Sequence, residues 1–243
     1  MTELVSIIVR TKNEGKWLKD CLTAVSKQTY KNFEIIIVDN DSTDNTLEIA
    51  RQFKVKIVGI KKYMPGKSLN KGIRNSSGEI ITALSGHCIP TNEYWLANLI
   101  RNFRDKNVMG VYGRQEPLPS TSDIDKCDLI YTFRLERIIQ VKDPFFYNAN
   151  SMFRRSMWEQ TPFSESILSI EDWLWGMAVI KSGFKLIYEP EASVYHYHGI
   201  HQNRDNVRRN NIIKLFGETG IINTKVSEKE LREWKPNAEK AGT

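Results

Sequence analysis

The feature that most limits the fold of this chain is the alternation of short apolar runs with helical patterns over its first ninety residues. The runs are rich in β-branched residues and fall at Val5–Val9, Glu34–Val38, Val55–Ile60 and Ile80–Leu84. Such runs are typical of strands buried on both faces of a parallel sheet. Helical spacing of apolar residues separates them, so we predict an α/β fold with a doubly wound, mostly parallel sheet.

The second half is less regular but continues the same pattern. Its predicted elements are helices over 94–103, 123–139 and 171–181 and strands over 108–115, 147–153, 185–189 and 192–198. Beyond residue 200 the composition changes, with nine Lys and Arg against six Asp and Glu over 201–243. We therefore predict one domain over 1–200 and a basic helical extension over 201–243.

Composition limits the class of protein. The 243 residues, 40% of them hydrophobic, suffice for one substantial core. A net charge of +6 suits an anionic small molecule or an anionic membrane surface, and is too weak to indicate nucleic acid. Cys21, Cys88 and Cys127 lack the spacing of a disulfide framework or a zinc site, which favours a reducing cytosol. With no signal peptide and no long apolar run, we expect a cytoplasmic protein without a membrane span.

Polar clusters follow the first two predicted strands. Thr11, Asn13 and Glu14 follow the first strand, and Asp39 and Asp41 follow the second. Ligands of open α/β sheets bind beyond the carboxyl ends of the strands, where a carboxylate can bond a nucleotide's base or ribose. Helix capping by Asp39 is the structural alternative. Neither a GxGxxG fingerprint nor a Walker loop is present, which argues against a dinucleotide enzyme and an NTPase.

A third cluster, Ser85-Gly86-His87, ends the fourth strand and presents one imidazole. His196 and His198 lie two residues apart, so both point the same way if they belong to a strand. One of them, together with His87, can complete a metal site that holds a diphosphate, since imidazole suits manganese, iron or zinc. A plain loop after the strand and a strand face without a ligand are the alternatives.

The remaining candidates are acidic and basic. Glu171 and Asp172 lie in the first turn of a predicted helix, where the dipole favours the ionised carboxylate that a general base requires. Acidic residues are also common there for structural reasons. Arg154 and Arg208 are candidates for phosphate contacts, with solvated surface arginines as the alternative.

The order of these motifs resembles family 2 glycosyltransferases. The segments that carry the resemblance are 5–14, 34–46, 70–81, Glu171-Asp172-Trp173 and Val194-Tyr195-His196. The match extends over about residues 4–200, and segments 112–115 and 148–155 resemble a branch often labelled rhamnosyltransferases. The resemblance implies a GT-A fold, with a nucleotide-binding half over 1–90 and an acceptor and catalytic half over 91–200.

The resemblance also implies the reaction and its residues. A sugar would move, with inversion, from a nucleotide-diphosphate donor to an acceptor hydroxyl in the synthesis of surface polysaccharide or glycoconjugate. Asp172 would be the general base beside Glu171. The nucleoside pocket would be formed by Thr11, Asn13, Glu14, Asp39, Asp41 and Ser85. Diphosphate contacts would come from His87, Asn150, Arg154 and Arg208, and metal ligands from His87, His196 and His198.

The chain departs from the family at the third cluster. Where the family has Asp-x-Asp, this chain has Ser85-Gly86-His87, which replaces two anionic ligands by a hydroxyl and an imidazole. Either a divalent cation, Mn²⁺ or Mg²⁺, is held weakly, or histidine and arginine compensate the diphosphate without metal.

Two other functions stay open. A catalytically inactive sugar-nucleotide-binding homologue would explain the altered motif, although the Glu171–Asp172 pair argues against a pure binder. A nucleotidyltransferase usually has a glycine-rich loop after the first strand, which Thr11–Gly15 lacks. The expected partners are a sugar nucleotide and a saccharide or lipid-linked acceptor, with no nucleic acid. The basic extension suits peripheral contact with the inner membrane face.

Overall fold

The computed structural model describes residues 3–199 and 205–219, without the side chain of Arg208. Residues 3–199 contain one mixed β-sheet. Its strands are β1 (Val5–Thr11), β2 (Phe33–Asp39), β3 (Lys56–Gly59), β4 (Ile80–Ser85), β5 (Cys88–Pro90), β6 (Val108–Pro117), β7 (Ile138–Gln140), β8 (Asn150–Arg154) and β9 (Lys185–His196). The strand order is β3-β2-β1-β4-β8-β6-β9-β5, and β7 also pairs with β9.

Helices cover both faces of this sheet. They are α1 (Leu18–Ser26), α2 (Thr46–Ala50), α3 (Pro65–Arg74), α4 (Trp95–Ile100), α5 (Asp123–Thr132), α6 (Arg155–Gln160) and α7 (Glu171–Lys181). A further helix, α8 (Asn206–Glu218), belongs to a separate unit of the chain. Val5, Ile7 and Val9 of β1 pack into one apolar cluster, and Ile8 packs into a second. Because successive side chains of a strand point to opposite faces, a strand covered on both sides must be apolar throughout.

The direction of the strands changes across the sheet. The pairs β1–β2, β2–β3 and β1–β4 are parallel, as the alternating pattern predicts. β8 then lies antiparallel between β4 and β6, and β6 runs parallel to β9. The predicted α/β class is confirmed, and the antiparallel insertion of β8 decides which residues of the second half reach the ends of β1 and β4.

Two predicted elements differ in the structure. The helix predicted over 123–139 ends at Thr132, and Ile138–Gln140 forms β7, antiparallel to β9. The strands predicted on either side of Pro190 form one strand, β9, whose pairing with β6 shifts register between Gly113 and Gln115. Such an irregularity removes the need for a ladder hydrogen bond from proline, which explains why Pro190 is tolerated.

The chain divides into two compact units, Met1–Arg204 and Asp205–Thr243. The described part of the second unit contains α8, and the side chain of Arg208 lies outside the described residues. Arg208 as a phosphate ligand therefore stays a prediction, as do the two functional halves of the first unit. Among the helices that the structure describes, none has both the length and the apolar character to cross a membrane.

Candidate functional site

Three parallel strands end side by side at one edge of the sheet. Thr11 lies opposite Asp39 in the β1–β2 ladder, and Arg10 lies opposite Ser85 in the β1–β4 ladder. The polar clusters predicted after β1, β2 and β4 therefore meet. This is the edge at which ligands of open α/β sheets bind.

Asp39 ties together the loops that follow β1 and β2. Thr11 Oγ1 donates to Asp39 Oδ1 at 2.8 Å, and Ser42 donates through Oγ to Oδ1 at 2.6 Å and through its backbone N–H to Oδ2 at 2.9 Å. Asp39 is 3% exposed. Its bonds hold the loop rather than cap α2, which begins at Thr46 after Asn45.

The same two loops are held together further out by Asn13 and Asp41. Both residues have φ of 54°, in the left-handed region that Asn and Asp adopt more readily than most residues. Asn13 Oδ1 accepts from the backbone N–H of Thr43 at 2.8 Å, and Lys12 Nζ donates to the carbonyl of Asp41 at 2.7 Å. Their side chains are exposed on a loop whose backbone is fixed.

A histidine cluster lies beyond the end of β4. The N–H of Gly86 donates to the carbonyl of Arg10 at 2.9 Å, and a Cβ at Gly86 would lie 3.0 Å from side-chain carbons of Glu14 and Thr11. Cys88 of β5 lies opposite His196 at the end of β9, and this pairing brings His87 next to His196. The cluster comprises His87, His196 and His198, with one ring nitrogen of each within 4.8 Å of the others.

Each imidazole has a different environment. His87 Nδ1 lies 2.7 Å from Glu14 Oε1, and His198 Nδ1 lies 2.9 Å from the carbonyl oxygen of Gly199. His196 is 1% exposed, and neither of its ring nitrogens has a hydrogen-bond partner among the described residues. Burial, together with the two neighbouring imidazoles, lowers the pKa of His196 well below its usual value, so this ring is neutral at pH 7.

The position of Glu14 differs from the predicted nucleoside pocket. Its carboxylate contacts His87 on the side of β4, although Glu14 follows β1 together with Thr11. Its backbone N–H faces the start of α2 and donates to Thr46 Oγ1 at 2.7 Å. The side chain therefore supports the histidine cluster, while the backbone belongs to the loop that Asp39 organises.

Glu171 and Asp172 begin α7, as predicted, and both are held in place. Asp172 Oδ2 accepts from the N–H of Asn148 at 3.1 Å, and its Oδ1 accepts from the N–H of Trp173 at 2.9 Å. Glu171 is 5% exposed, and its Oε1 lies 3.7 Å from Arg10 Nη1. Asp172 is half-buried, so it is the more accessible of the two carboxylates.

Burial works against the ionised form that the helix dipole favours. Burial and then the adjacent Asp172 carboxylate raise the pKa of Glu171 to about 7, while Arg10 opposes the shift. Burial also raises the pKa of Asp172, and the N–H groups of Asn148 and Trp173 oppose it. The environment thus separates two adjacent carboxyls into a deeply buried one and a more accessible, hydrogen-bonded one.

Arg10 is the main residue that the sequence interpretation missed. Its guanidinium pairs with Glu171 and donates to the carbonyl of Asn148 at 3.2 Å, while its own carbonyl accepts from Gly86. The available signal was its position: it directly follows the buried run Val5–Val9, at the sheet edge where ligands bind.

The side chains of two predicted diphosphate ligands have partners within the protein. Asn150 is 0% exposed, and its amide donates to the carbonyls of Ala192 at 2.9 Å and Arg114 at 3.1 Å, so it belongs to the core. Arg154 donates to the carbonyls of Val108 at 3.0 Å and Phe103 at 2.7 Å.

The position of Arg154 follows from strand direction. In the antiparallel ladder of β4 and β8, Arg154 lies opposite Ile80, at the amino end of β4. His87 follows the carboxyl end of the same strand. Arg154 is therefore at the far edge of the sheet from the histidine cluster.

Comparison with known proteins identifies the family. Residues 6–161 match the model of the family described as glycosyl transferase family 2. This chain belongs to glycosyl transferase family 2. The resemblance carried by the sequence motifs is thereby confirmed.

Similar proteins named for glycan synthesis support this assignment. The chain is 29% identical over 208 residues to the O-antigen chain rhamnosyltransferase WbaN of Salmonella anatum, an alignment that covers 79% of this chain and 66% of that protein. It is 29% identical over 196 residues to glycosyltransferase AglE of Haloferax volcanii, covering 76% and 64%. The chain thus spans about two thirds of the length of these relatives.

Solved structures support the GT-A fold. The mannosyltransferase PcManGT of Pyrobaculum calidifontis, in complex with GDP-Man and Mn²⁺, matches with a TM-score of 0.70 and 18% identity over 92% of this chain and 66% of that one. Residues 1–349 of TarS from S. aureus match with a TM-score of 0.63 and 18% identity over 93% and 67%. At these identities the likeness establishes the fold.

Proposed function

We propose that this chain transfers a sugar, with inversion, from a nucleotide-diphosphate donor to an acceptor hydroxyl in the synthesis of surface polysaccharide or glycoconjugate. The observation that carries the proposal is that Arg10 contacts both the segment that carries His87 and the start of α7, which carries Asp172. Its carbonyl holds Gly86, next to His87, and its guanidinium meets Glu171, next to Asp172. A candidate base and candidate partners for a leaving diphosphate therefore lie within reach of one residue.

Asp172 is the proposed general base. Inverting transfer needs a carboxylate that takes the proton from the acceptor oxygen as that oxygen attacks the anomeric carbon. Asp172 is accessible from solvent, and two backbone N–H groups fix its orientation and favour its charge. Glu171 is the buried partner whose contact with Arg10 holds the start of α7 against the end of β1.

The donor would lie along the edge formed by β1, β2 and β4. Thr11, Asn13, Asp39, Asp41 and Ser85 are the proposed nucleoside contacts, with Asp39 setting the loop to which the base and ribose bind. The names of similar structures support a sugar nucleotide, since PcManGT was solved with GDP-Man and a TarS fragment with UDP-GlcNAc. The rhamnosyltransferase relatives favour a hexose or deoxyhexose.

The residues at the end of β4 fit a divalent cation. His87, His196 and His198 would hold it, since an orphaned buried imidazole beside two others supplies nitrogen ligands at one point. When bound, such an ion neutralises charge on the departing diphosphate. The GT-A neighbour PcManGT was solved with Mn²⁺, which supports a divalent cation in a protein of this fold.

The test is the variant Asp172→Asn, with Asp123→Asn as the matched control. Asp123 is an aspartate whose side chain is 98% exposed in the first turn of α5. The readout is release of nucleoside diphosphate from a panel of sugar nucleotides, with and without saccharide acceptors. We expect Asp172→Asn to lower the rate about 10²–10⁴-fold, the usual contribution of a general base, and Asp123→Asn to keep it.

The result that would contradict this role is transfer by Asp172→Asn at the wild-type rate. A sugar nucleotide that raises the melting temperature of the wild type but is never turned over would favour the inactive binding homologue instead.

We also propose a saccharide or lipid-linked acceptor at the inner membrane face. The basic composition over 201–243 supports contact with anionic lipid headgroups. Sedimentation with anionic and neutral vesicles tests this membrane contact. We expect the protein to sediment with the anionic vesicles alone, and a protein that sediments with neither would refute the contact.

A further inference from the structure

We propose that His87, His196 and His198 form a three-nitrogen metal site, supported by Glu14, that selects zinc or another nitrogen-preferring divalent metal over Mg²⁺. The proposal deepens the proposed function by naming the ion at the leaving diphosphate, and it rests on that function for the ion's role alone. The binding of metal itself is a separate property of the histidine cluster.

Hydrogen bonding at two of the rings fixes which nitrogen carries the proton. A carboxylate and a carbonyl oxygen only accept hydrogen bonds, so Nδ1 of His87, facing Glu14, and Nδ1 of His198, facing Gly199, carry the protons. In a neutral imidazole the lone pair then lies on Nε2. A ring N–H held by a carboxylate or a backbone carbonyl is the usual outer support of a metal-bound histidine.

The third ring gives the independent observation. His196 is 1% exposed and has no hydrogen-bond partner at either nitrogen within residues 3–199. A buried polar group without a partner destabilises the folded state, so this placement needs a compensating interaction. A metal ion bound to one of its nitrogens provides that interaction.

The spacing of the three rings fits a small, nitrogen-bound ion, and because the rings of His87 and His196 are stacked within 3° of parallel, one of them must turn for both to bind it. Ring centroids are 5.0 Å apart for His87–His196, 5.0 Å for His87–His198 and 4.3 Å for His196–His198. A tetrahedral zinc with bonds of about 2.0–2.1 Å holds its imidazole centroids roughly 5 Å apart. Three protein ligands leave the fourth position for an oxygen of the diphosphate, as in sites where zinc meets a substrate.

The ligand set decides which metal binds. Imidazole nitrogen suits zinc and its neighbours, whereas Mg²⁺ requires oxygen ligands, and divalent affinity rises from manganese through cobalt towards zinc. Three neutral rings also leave the full +2 charge of the ion facing the diphosphate. A pair of carboxylates, as in Asp-x-Asp, would cancel most of that charge. A nitrogen site therefore compensates for the lost anionic ligands of Ser85-Gly86-His87.

The experiment is calorimetric titration of the tag-free, chelator-treated chain with Zn²⁺, Co²⁺, Mn²⁺ and Mg²⁺, without any sugar nucleotide. We expect one Zn²⁺ or Co²⁺ per chain, bound at least about 100-fold more tightly than Mg²⁺, and the visible absorption of four-coordinate cobalt. Mg²⁺ binding as tightly as Zn²⁺, or no binding of Zn²⁺, would overturn the proposal.

Variants locate the site. His198→Ala should lose the cobalt absorption, and Glu14→Gln should weaken Zn²⁺ about 10–100-fold, the usual effect of removing an outer-shell partner. Glu159→Gln, on an exposed glutamate of α6, is the matched control and should bind as the wild type does. Zn²⁺ affinity that survives the pair His87→Ala and His198→Ala would refute the assignment.

These outcomes are distinguishable from a failure of the proposed function. A chain that binds zinc through the histidines but turns over no sugar nucleotide refutes glycosyl transfer and keeps the metal site. A chain that transfers sugar at full rate in chelator, with no Zn²⁺ affinity, refutes the metal site.

Discussion

Two parts of the same sheet edge differ in whether their buried polar groups have hydrogen-bond partners. After β1 and β2, the carboxylate of Asp39 accepts three hydrogen bonds, from Thr11 and Ser42, so the chain itself satisfies it. Beyond β4, the buried ring of His196 has none among the described residues. The first arrangement stabilises the fold and shapes a loop. The second is costly without a ligand, which is why we assign the chemistry of the leaving group to it.

The strongest test of this comparison is Asp39→Ala. Three donors would lose their acceptor, two of them from Ser42, and we expect the free energy of unfolding to fall by about 1–3 kcal/mol. Urea denaturation with an unchanged m-value measures it. A variant as stable as the wild type would show that the loop does not depend on Asp39, and the contrast between the two regions would disappear.

The next test concerns Arg10, whose charge favours ionisation of Glu171 and Asp172. In Arg10→Met the pKa of both carboxyls rises, so the acidic limb of the rate profile moves to higher pH. Each unit of that shift costs about tenfold in ionised base below the pKa. Tyr63 and Tyr147 also face Arg10, and both stay in the variant.

Arg10→Lys is the control, because it keeps the positive charge. We expect the acidic limb of its rate profile to stay close to that of the wild type. Its kcat falls if the two contacts of the planar guanidinium, to Glu171 and to the carbonyl of Asn148, are needed. The measurement is kcat/KM against pH with the donor found by the panel. An unshifted limb in Arg10→Met would show that Arg10 has no part in the ionisation of the base.

Stability against pH provides a further check on Glu171. Its folded pKa of about 7 lies above its ordinary value of 4.5, so the folded state binds the extra proton between these values. The contribution of this group is therefore fully present below about pH 4.5 and is lost as pH rises towards 7. In Arg10→Met this loss should extend to higher pH.

The smallest effect is expected for His196→Leu. Replacing an unsatisfied buried ring by an apolar side chain should change the free energy of unfolding by less than about 1 kcal/mol, or raise it, in metal-free buffer. The folded pKa of His196 is lowered, so the wild type loses stability as pH falls through about 6.5, where the unfolded ring takes up a proton. The relative stability of the variant should therefore increase from pH 7 to pH 5.

A destabilisation of His196→Leu comparable to that of Asp39→Ala would contradict the comparison directly. It would mean that His196 is as well satisfied in the metal-free protein as Asp39 is.

The α/β class, the first half of the sheet and the residues at its edge follow from the amino-acid pattern alone. Strands buried on both faces must be apolar, and the polar residues that follow parallel strands must emerge at one edge. Thr11, Asp39 and Ser85 were therefore predictable from local pattern. Glu171 and Asp172 were predictable as the start of a helix, and the structure begins α7 there.

Which distant residues reach that edge depends on the packing of the whole chain. The direction of β8 sends Arg154 to the opposite end, and the pairing of β5 with β9 brings His87 to His196. Strand direction and partner choice depend on packing between segments far apart in the chain, so no local pattern carries them. The same holds for Arg10, whose role exists because α7 begins beside the end of β1.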